Sequence, residues 1–158
     1  MIRVLVFDFN GTIVDDEPLH FRAFRKTLQA FGMTIDEAEY NRDYLGLDDR
    51  DYFKKAWRDK KNAGISALDL QQRIDEKGVH YFRELDQGLV LFPHVAAFVA
   101  AASKSLPLAI TSGALRREID AILQRTALLP FFSVIVSAND VAHGKPQPDG
   151  YLLTLDRL

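Results

Sequence analysis

The chain has 158 residues, 47% of them hydrophobic and 27% charged, with a formal net charge of −2. That length and apolar share suffice for one domain, or one domain carrying an insert, and the mixed charge leaves no basic surface for nucleic acid. The lack of cysteine excludes disulfides and thiolate metal sites, and the longest apolar run, Val95 to Ala102, falls far short of the about 20 residues a bilayer span needs.

Ile2 to Phe7 is short, apolar and rich in Val, and reads as a buried strand. It runs into Asp8-Phe9-Asn10-Gly11-Thr12, so a carboxylate stands at the strand's C-terminal tip. Ligands of open α/β sheets bind at that end. Asp8 is therefore placed to attack a substrate or to hold a metal, although a lone Asp there more often only caps a turn. No basic leader precedes the strand, and a soluble, cytoplasmic protein is the expectation.

Asp16 can cap a helix with Pro18 in its first turn, and His20, Phe21, Phe24, Leu28 and Phe31 follow at helical spacing before Gly32 stops it. Asp36 to Tyr44 reads as a short second helix, and Gly46 to Arg50 as a polar turn. Tyr52, Phe53, Ala56 and Trp57 mark the apolar face of a third helix. Ser66 with Asp69 resembles a capping box for a fourth, with Gly78 as a candidate break. Glu17 to about Glu84 is thus an all-helical block.

The pattern then changes. Pro93 opens a helix, Leu106 to Ile110 is a strand ending in Thr111-Ser112-Gly113, and Leu115, Ile119, Ile122 and Leu123 give an amphipathic helix. Ser133 to Ser137 is a third strand, Asn139 to Asp149 a polar loop, and a last helix starts near Pro148. The order implies an α/β chain: a parallel sheet with a helical lid inserted after its first strand.

Three strand tips then offer Asp8 and Asn10, Thr111-Ser112-Gly113, and Lys145. A carboxylate nucleophile, a hydroxyl with backbone donors before a helix, and a lysine together suit phosphoryl transfer. Mg²⁺ would take oxygen ligands from Asp8 and a backbone carbonyl. Taken singly, Thr111-Ser112-Gly113 is better read as a helix cap, and Lys145 and Arg50 as solvated side chains. Their order and placement at successive strand tips favour the joint reading.

Val6 to His20 (Val-Phe-Asp-Phe-Asn-Gly-Thr-Ile-Val-Asp-Asp-Glu-Pro-Leu-His) resembles the first motif of the haloacid dehalogenase superfamily. The resemblance is to the subfamily with a helical cap after that motif, which holds β-phosphoglucomutase-like phosphatases. Ile110 to Gly113 resembles the second motif and Gly144-Lys145-Pro146-Gln147-Pro148-Asp149 the third. The likeness covers essentially the whole chain. It implies a Rossmann-like three-layer core (1–14 and 86–158) with an inserted all-helical cap (15–85). It also implies an aspartyl-phosphate on Asp8, Mg²⁺ as cofactor with Asp8 and Asn10 as its ligands, and a small phosphorylated metabolite, such as a sugar phosphate, as substrate. Lys145 falls at the electrostatic clamp and, with Thr111, Ser112 and Gly113, at the phosphate. His20, Gly46 and Arg50 fall where relatives contact substrate or couple cap closure to catalysis.

Two departures stand out. Phosphatases of the superfamily carry Asp two residues after the nucleophile, where this chain has Asn10. An amide cannot shuttle a proton, so general acid–base help of about 10²–10⁴-fold is expected to be missing. The fourth motif, an acidic loop after a further strand, has no counterpart before Leu158, and the sequence is expected to be a fragment of a longer protein. Without the missing strand a long apolar edge would stand open beside the first strand, inviting a dimer or strand swap in place of a monomer. Two other functions share the fold: a catalytically silent binder of phosphate esters, and a metal-independent hydrolase acting at carbon as the dehalogenases do.

Overall fold

The structure, a computed structural model, describes residues 1–158. It divides into two compact units, one built from Met1–Asp15 with Leu89–Leu158 and the other from Asp16–Gly88. No helix is long and apolar enough to cross a membrane.

The first unit is an α/β sandwich around three parallel strands, β1 (Leu5–Phe7), β2 (Leu108–Thr111) and β3 (Val134–Val136), in the order β1-β2-β3. Phe7 pairs in register with Ile110, and Thr111 with Val136. Its helices are α5 (Val95–Ala102), α6 (Arg116–Arg125) and α7 (Asp149–Arg157); α1 to α4 belong to the other unit. Side chains of successive strand residues point to opposite faces. Phe7 meets Phe98 of α5 edge-on at 6.1 Å, whereas the Thr111 hydroxyl meets Thr154 of α7 at 2.5 Å. Helices α5 and α7 therefore cover opposite faces, which makes three layers. Two right-handed crossovers that step the same way along a sheet place their helices on one face, and α7 closes the other.

The ladder is shorter than the apolar runs. Ile2 is exposed and β1 starts at Leu5, so the edge expected to be long and apolar is a three-residue strand. A 3₁₀ turn at Leu129–Phe131 leads into β3.

The second unit holds α1 (Glu17–Gln29), α2 (Glu37–Asp43), α3 (Asp49–Lys61) and α4 (Ala67–Leu85). Gly32, at φ +69°, lets the chain turn after α1. The core is aromatic: Phe24 stacks on Tyr52 at 3.5 Å, and Tyr40, Tyr44, Phe53 and Tyr81 surround them. Three details differ from the sequence expectation. The polar turn ends at Asp48, whose side chain accepts from the Asp51 amide, so Asp49 and Arg50 lie in α3. Helix α4 runs unbroken through Gly78, since one helical glycine costs only about 1 kcal/mol and the buried face of α4 outweighs it. Asp16 stands at the N-cap of α1 but caps nothing with its side chain. Its carboxylate is fully buried, accepts from the Tyr81 hydroxyl at 2.5 Å and pairs with His20 Nε2 at 3.2 Å.

Candidate active site

Strand β1 ends at Phe7 and the chain reverses at once. The Thr12, Ile13 and Val14 amides all reach the Phe9 carbonyl, and the Gly11 amide donates to the Val14 carbonyl at 2.9 Å. Gly11 takes φ +73°, which a side chain would resist. This knot leaves Asp8 exposed at the strand tip while Phe9 and Ile13 anchor it in the core. Asp15 then donates to the Val90 carbonyl and Phe92 to that of Ile13, so the outgoing and returning chains bridge.

The Asp8 carboxylate accepts from the Phe9 amide at 2.8 Å and from Lys145 Nζ at 2.7 Å. Both bonds fall on Oδ1, leaving Oδ2 for an incoming electrophile. Lys145 crosses 137 positions of sequence to make this contact. Its ammonium also lies 5.5 Å from the Tyr151 ring, where a cation–π attraction holds it. The loop that carries it is pinned at both ends. Asp140 accepts from the Ser137 amide and hydroxyl and from Arg157, and the Gln147 amide closes a turn onto the Gly144 carbonyl. Burial pushes the Asp140 carboxyl up, but the Ser137 and Arg157 donors outweigh it, and the net shift is below the usual carboxylate range.

The second loop contributes Ser112 and Gly113. Ser112 Oγ lies 3.4 Å from Asn10 Oδ1 and accepts from the Ala114 amide at 3.0 Å. Asp8, Asn10, Ser112 and Lys145 thus converge at the carboxyl ends of the strands. Thr111 does not join them as expected. It is buried, and its hydroxyl is bonded to Thr154 on the opposite face, because adjacent strand residues point opposite ways. His20, Gly46 and Arg50 lie in the helical unit: His20 buried against Tyr81 with ring centroids 4.5 Å apart, Gly46 at φ +82° between α2 and α3, and Arg50 half-buried in the first turn of α3.

Sequence reasoning missed Tyr151 and Asp140. Both steady the lysine loop from positions with no motif character, and only the i, i+3 spacing of Tyr151 and Thr154 on α7 hinted at a common role. It also missed Lys77, fully buried and paired with Asp49 at 3.0 Å. Its place on the Ile74–Tyr81 face of α4 was the available signal.

Asp8 and the Asn10 main-chain carbonyl are hard oxygen donors. They suit Mg²⁺, which keeps several waters and takes one or two carboxylates beside substrate phosphate. Nowhere in the chain do three acidic, imidazole or thiol side chains gather into a fuller cage.

The chain is 30% identical over 157 residues to a Thermotoga maritima protein named phosphorylated carbohydrates phosphatase, covering 99% of this chain and 71% of the relative. It is similar in structure to CbbY from Rhodobacter sphaeroides, solved as an Asp-to-Asn mutant with xylulose-(1,5)bisphosphate: TM-score 0.87, 27% identity, 99% of this chain and 72% of that one. The β-phosphoglucomutase of Clostridium difficile, 21% identical over 99% of this chain and 71% of its own, shares the fold at a TM-score of 0.86. Residues 2–158 match the haloacid dehalogenase-like hydrolase family. With a Rossmann-like core, a helical insert after the first strand and these matches, the chain belongs to the haloacid dehalogenase-like hydrolases.

Proposed function

We propose that the chain is a Mg²⁺-dependent phosphatase or phosphotransferase of a small sugar phosphate, working through an aspartyl-phosphate on Asp8. The observation that carries this reading is the Lys145–Asp8 contact at 2.7 Å, which spends Oδ1 and leaves Oδ2 as nucleophile. Oδ2 attacks phosphorus, the bond from phosphorus to the sugar oxygen breaks, and water or a second sugar hydroxyl later takes the phosphoryl group. Lys145 offsets charge on the transferring group, and the Ser112 hydroxyl and Gly113 amide bind its oxygens. Mg²⁺, held by Asp8 and the Asn10 carbonyl, would supply further charge neutralisation. Asn10 occupies the place from which a carboxyl group would protonate the leaving oxygen, and its amide withholds that proton. The names of the Thermotoga and Rhodobacter relatives support a phosphorylated carbohydrate as the substrate class.

A panel of sugar phosphates assayed with and without Mg²⁺ tests the reading. Asn10→Asp is expected to raise turnover by about 10²–10⁴-fold. Absence of both phosphate release and phosphoryl transfer between sugars, by either protein and from any ester, would overturn it. The second reading, a silent binder of phosphate esters, is favoured by the amide at position 10. Mg²⁺-dependent binding of a sugar phosphate without turnover by either protein selects it.

A further inference from the structure

The turn that presents Asp8 contains the dipeptide Asn10–Gly11. We propose that Asn10 is a latent carboxylate, and that this dipeptide deamidates itself to place aspartate at position 10. The consequence for catalysis rests on the acid–base reading of position 10 given above; the modification does not.

The chemistry needs only water. The Gly11 main-chain nitrogen gives up its proton and attacks Asn10 Cγ. The new N–Cγ bond forms as the Cγ–Nδ2 bond breaks, and ammonia leaves with the proton, giving a five-membered imide. Water then opens the imide. Opening at the side-chain carbonyl restores the original main chain with aspartate in place of asparagine. Opening at the main-chain carbonyl gives isoaspartate, which lengthens the backbone within the turn. The sum is asparagine plus water to aspartate plus ammonia.

Four observations locate this reaction at Asn10. The chain has four asparagines, and only Asn10 precedes glycine; Asn41, Asn62 and Asn139 precede Arg42, Ala63 and Asp140. Gly11 carries no Cβ to crowd its nitrogen, is exposed, and has open space where a Cβ would project, with nothing within 4 Å. Asn10 Oδ1 lies 3.4 Å from Ser112 Oγ, a donor that draws electron density from Cγ and supports negative charge on that oxygen during attack. Ser112 is held in place by the Ala114 amide. Against these stands the bond from the Gly11 amide to the Val14 carbonyl at 2.9 Å. It must open before the nitrogen can attack, so the folded chain reacts through local openings of the turn, more slowly than an unfolded peptide.

The product matters because of where it lies. Aspartate at position 10 shares a turn with Asp8 and reaches Ser112, so conversion would turn a chain without a proton donor into one that has it. Conversion with time, not synthesis, would then set the active fraction.

The test is to age the purified chain at mildly alkaline pH and map its tryptic peptides by mass. The expected result is that Val4–Arg22 gains the mass of NH₂ replaced by OH and resolves by chromatography into two isomers, aspartate and isoaspartate. Peptides carrying Asn41, Asn62 and Asn139 stay unchanged. Mg²⁺-dependent phosphoester turnover rises in parallel towards that of Asn10→Asp, while Asn10→Gln, whose longer side chain does not form the five-membered ring, stays flat in mass. A Val4–Arg22 segment unchanged in the folded chain while the free peptide converts fully would overturn the proposal, as would isoaspartate as the only product. If Asn10→Asp is itself no more active than the parent, the acid–base reading fails, and the peptide map alone decides on the modification.

Discussion

The Cα of Gly150 sits against the side chain of Thr111, so close that a Cβ at 150 would fall 2.9 Å from Thr111 Cγ2. Helix α7 can approach β2 only because that Cβ is missing, and the approach sets where the lysine loop ends. Alanine in an open helix position would stabilise by about 1 kcal/mol relative to glycine. Here the β-branched neighbour cannot rotate away. Gly150→Ala is expected to lose about 1–3 kcal/mol in urea unfolding. In a Thr111→Ser background, which removes the methyl but keeps the hydroxyl for Thr154, the same change is expected to be neutral or stabilising. Equal losses in both backgrounds would rule the contact out as the cause.

The Lys145–Asp8 contact predicts a different pattern. In the Asn10→Asp protein, Lys145→Ala is expected to lower turnover by about 10²–10³-fold, the usual scale for removing one transition-state donor. Asp8→Asn is expected to abolish turnover and any trapped phosphoenzyme. Unchanged melting of both variants would separate chemistry from folding, since Asp8 and Lys145 are exposed.

Lys77 is buried with Asp49 at 3.0 Å and lies 5.1 Å from the Phe24 ring and 4.9 Å from that of Tyr81. Removing one partner of such a pair strands the other charge and typically costs about 3–5 kcal/mol. Lys77→Met is expected to fall in that range, and adding Asp49→Asn to recover part of the loss. The position of Asp49 in the first turn of α3 limits the recovery, because the helix N-terminus already favours its charge.

Tyr52 points the other way. Its hydroxyl is buried with no hydrogen-bond partner, and burial raises its pKa far above the ordinary phenol value. Tyr52→Phe keeps the stack on Phe24 and removes an unpaired polar atom. It is expected to raise stability by about 1 kcal/mol in chemical denaturation. A loss would mean that the hydroxyl finds a partner in solution.

Lys26 at 2.6 Å and Arg22 at 2.7 Å donate to Glu84 and hold its carboxyl below the ordinary glutamate range. A depressed carboxylate stabilises the folded chain above its unfolded pKa, and that contribution fades as pH falls through the folded value. Glu84→Gln is expected to be less stable than the parent at neutral pH and to converge with it in acid. A constant difference across pH would assign the loss to packing instead.

The helices and strands of both units were legible because apolar residues recur at helical spacing, as in His20 to Phe31, or cluster in short runs, as in Val134 to Val136. Asp8, Ser112 and Lys145 were legible because each follows a strand. Polar groups whose partners lie on elements distant in sequence were not. Asp16 resembles a helix cap from its neighbours alone, and only the folded unit brings Tyr81 to it. Thr111 and Ser112 are interchangeable in a string of letters; the pleat sends one to α7 and the other to Asn10. Gly78 looks like a break until the packing of α4 outweighs its local cost.

The register of β1 with β2 joins Leu5 to Leu108, across the whole helical unit. Such a pairing forms slowly, because the intervening chain must first be brought round on itself. The bridge of Val14 with Leu91, and the Asp15 amide on Val90, clasp the two ends of that excursion beside the sheet. A helical unit that packs α1 against α4 and delivers its ends to this clasp turns a long closure into a short one. The insert is then expected to set the folding rate of the sheet: weakening α1 against α4 should slow refolding of β1 even where no residue of the sheet has changed.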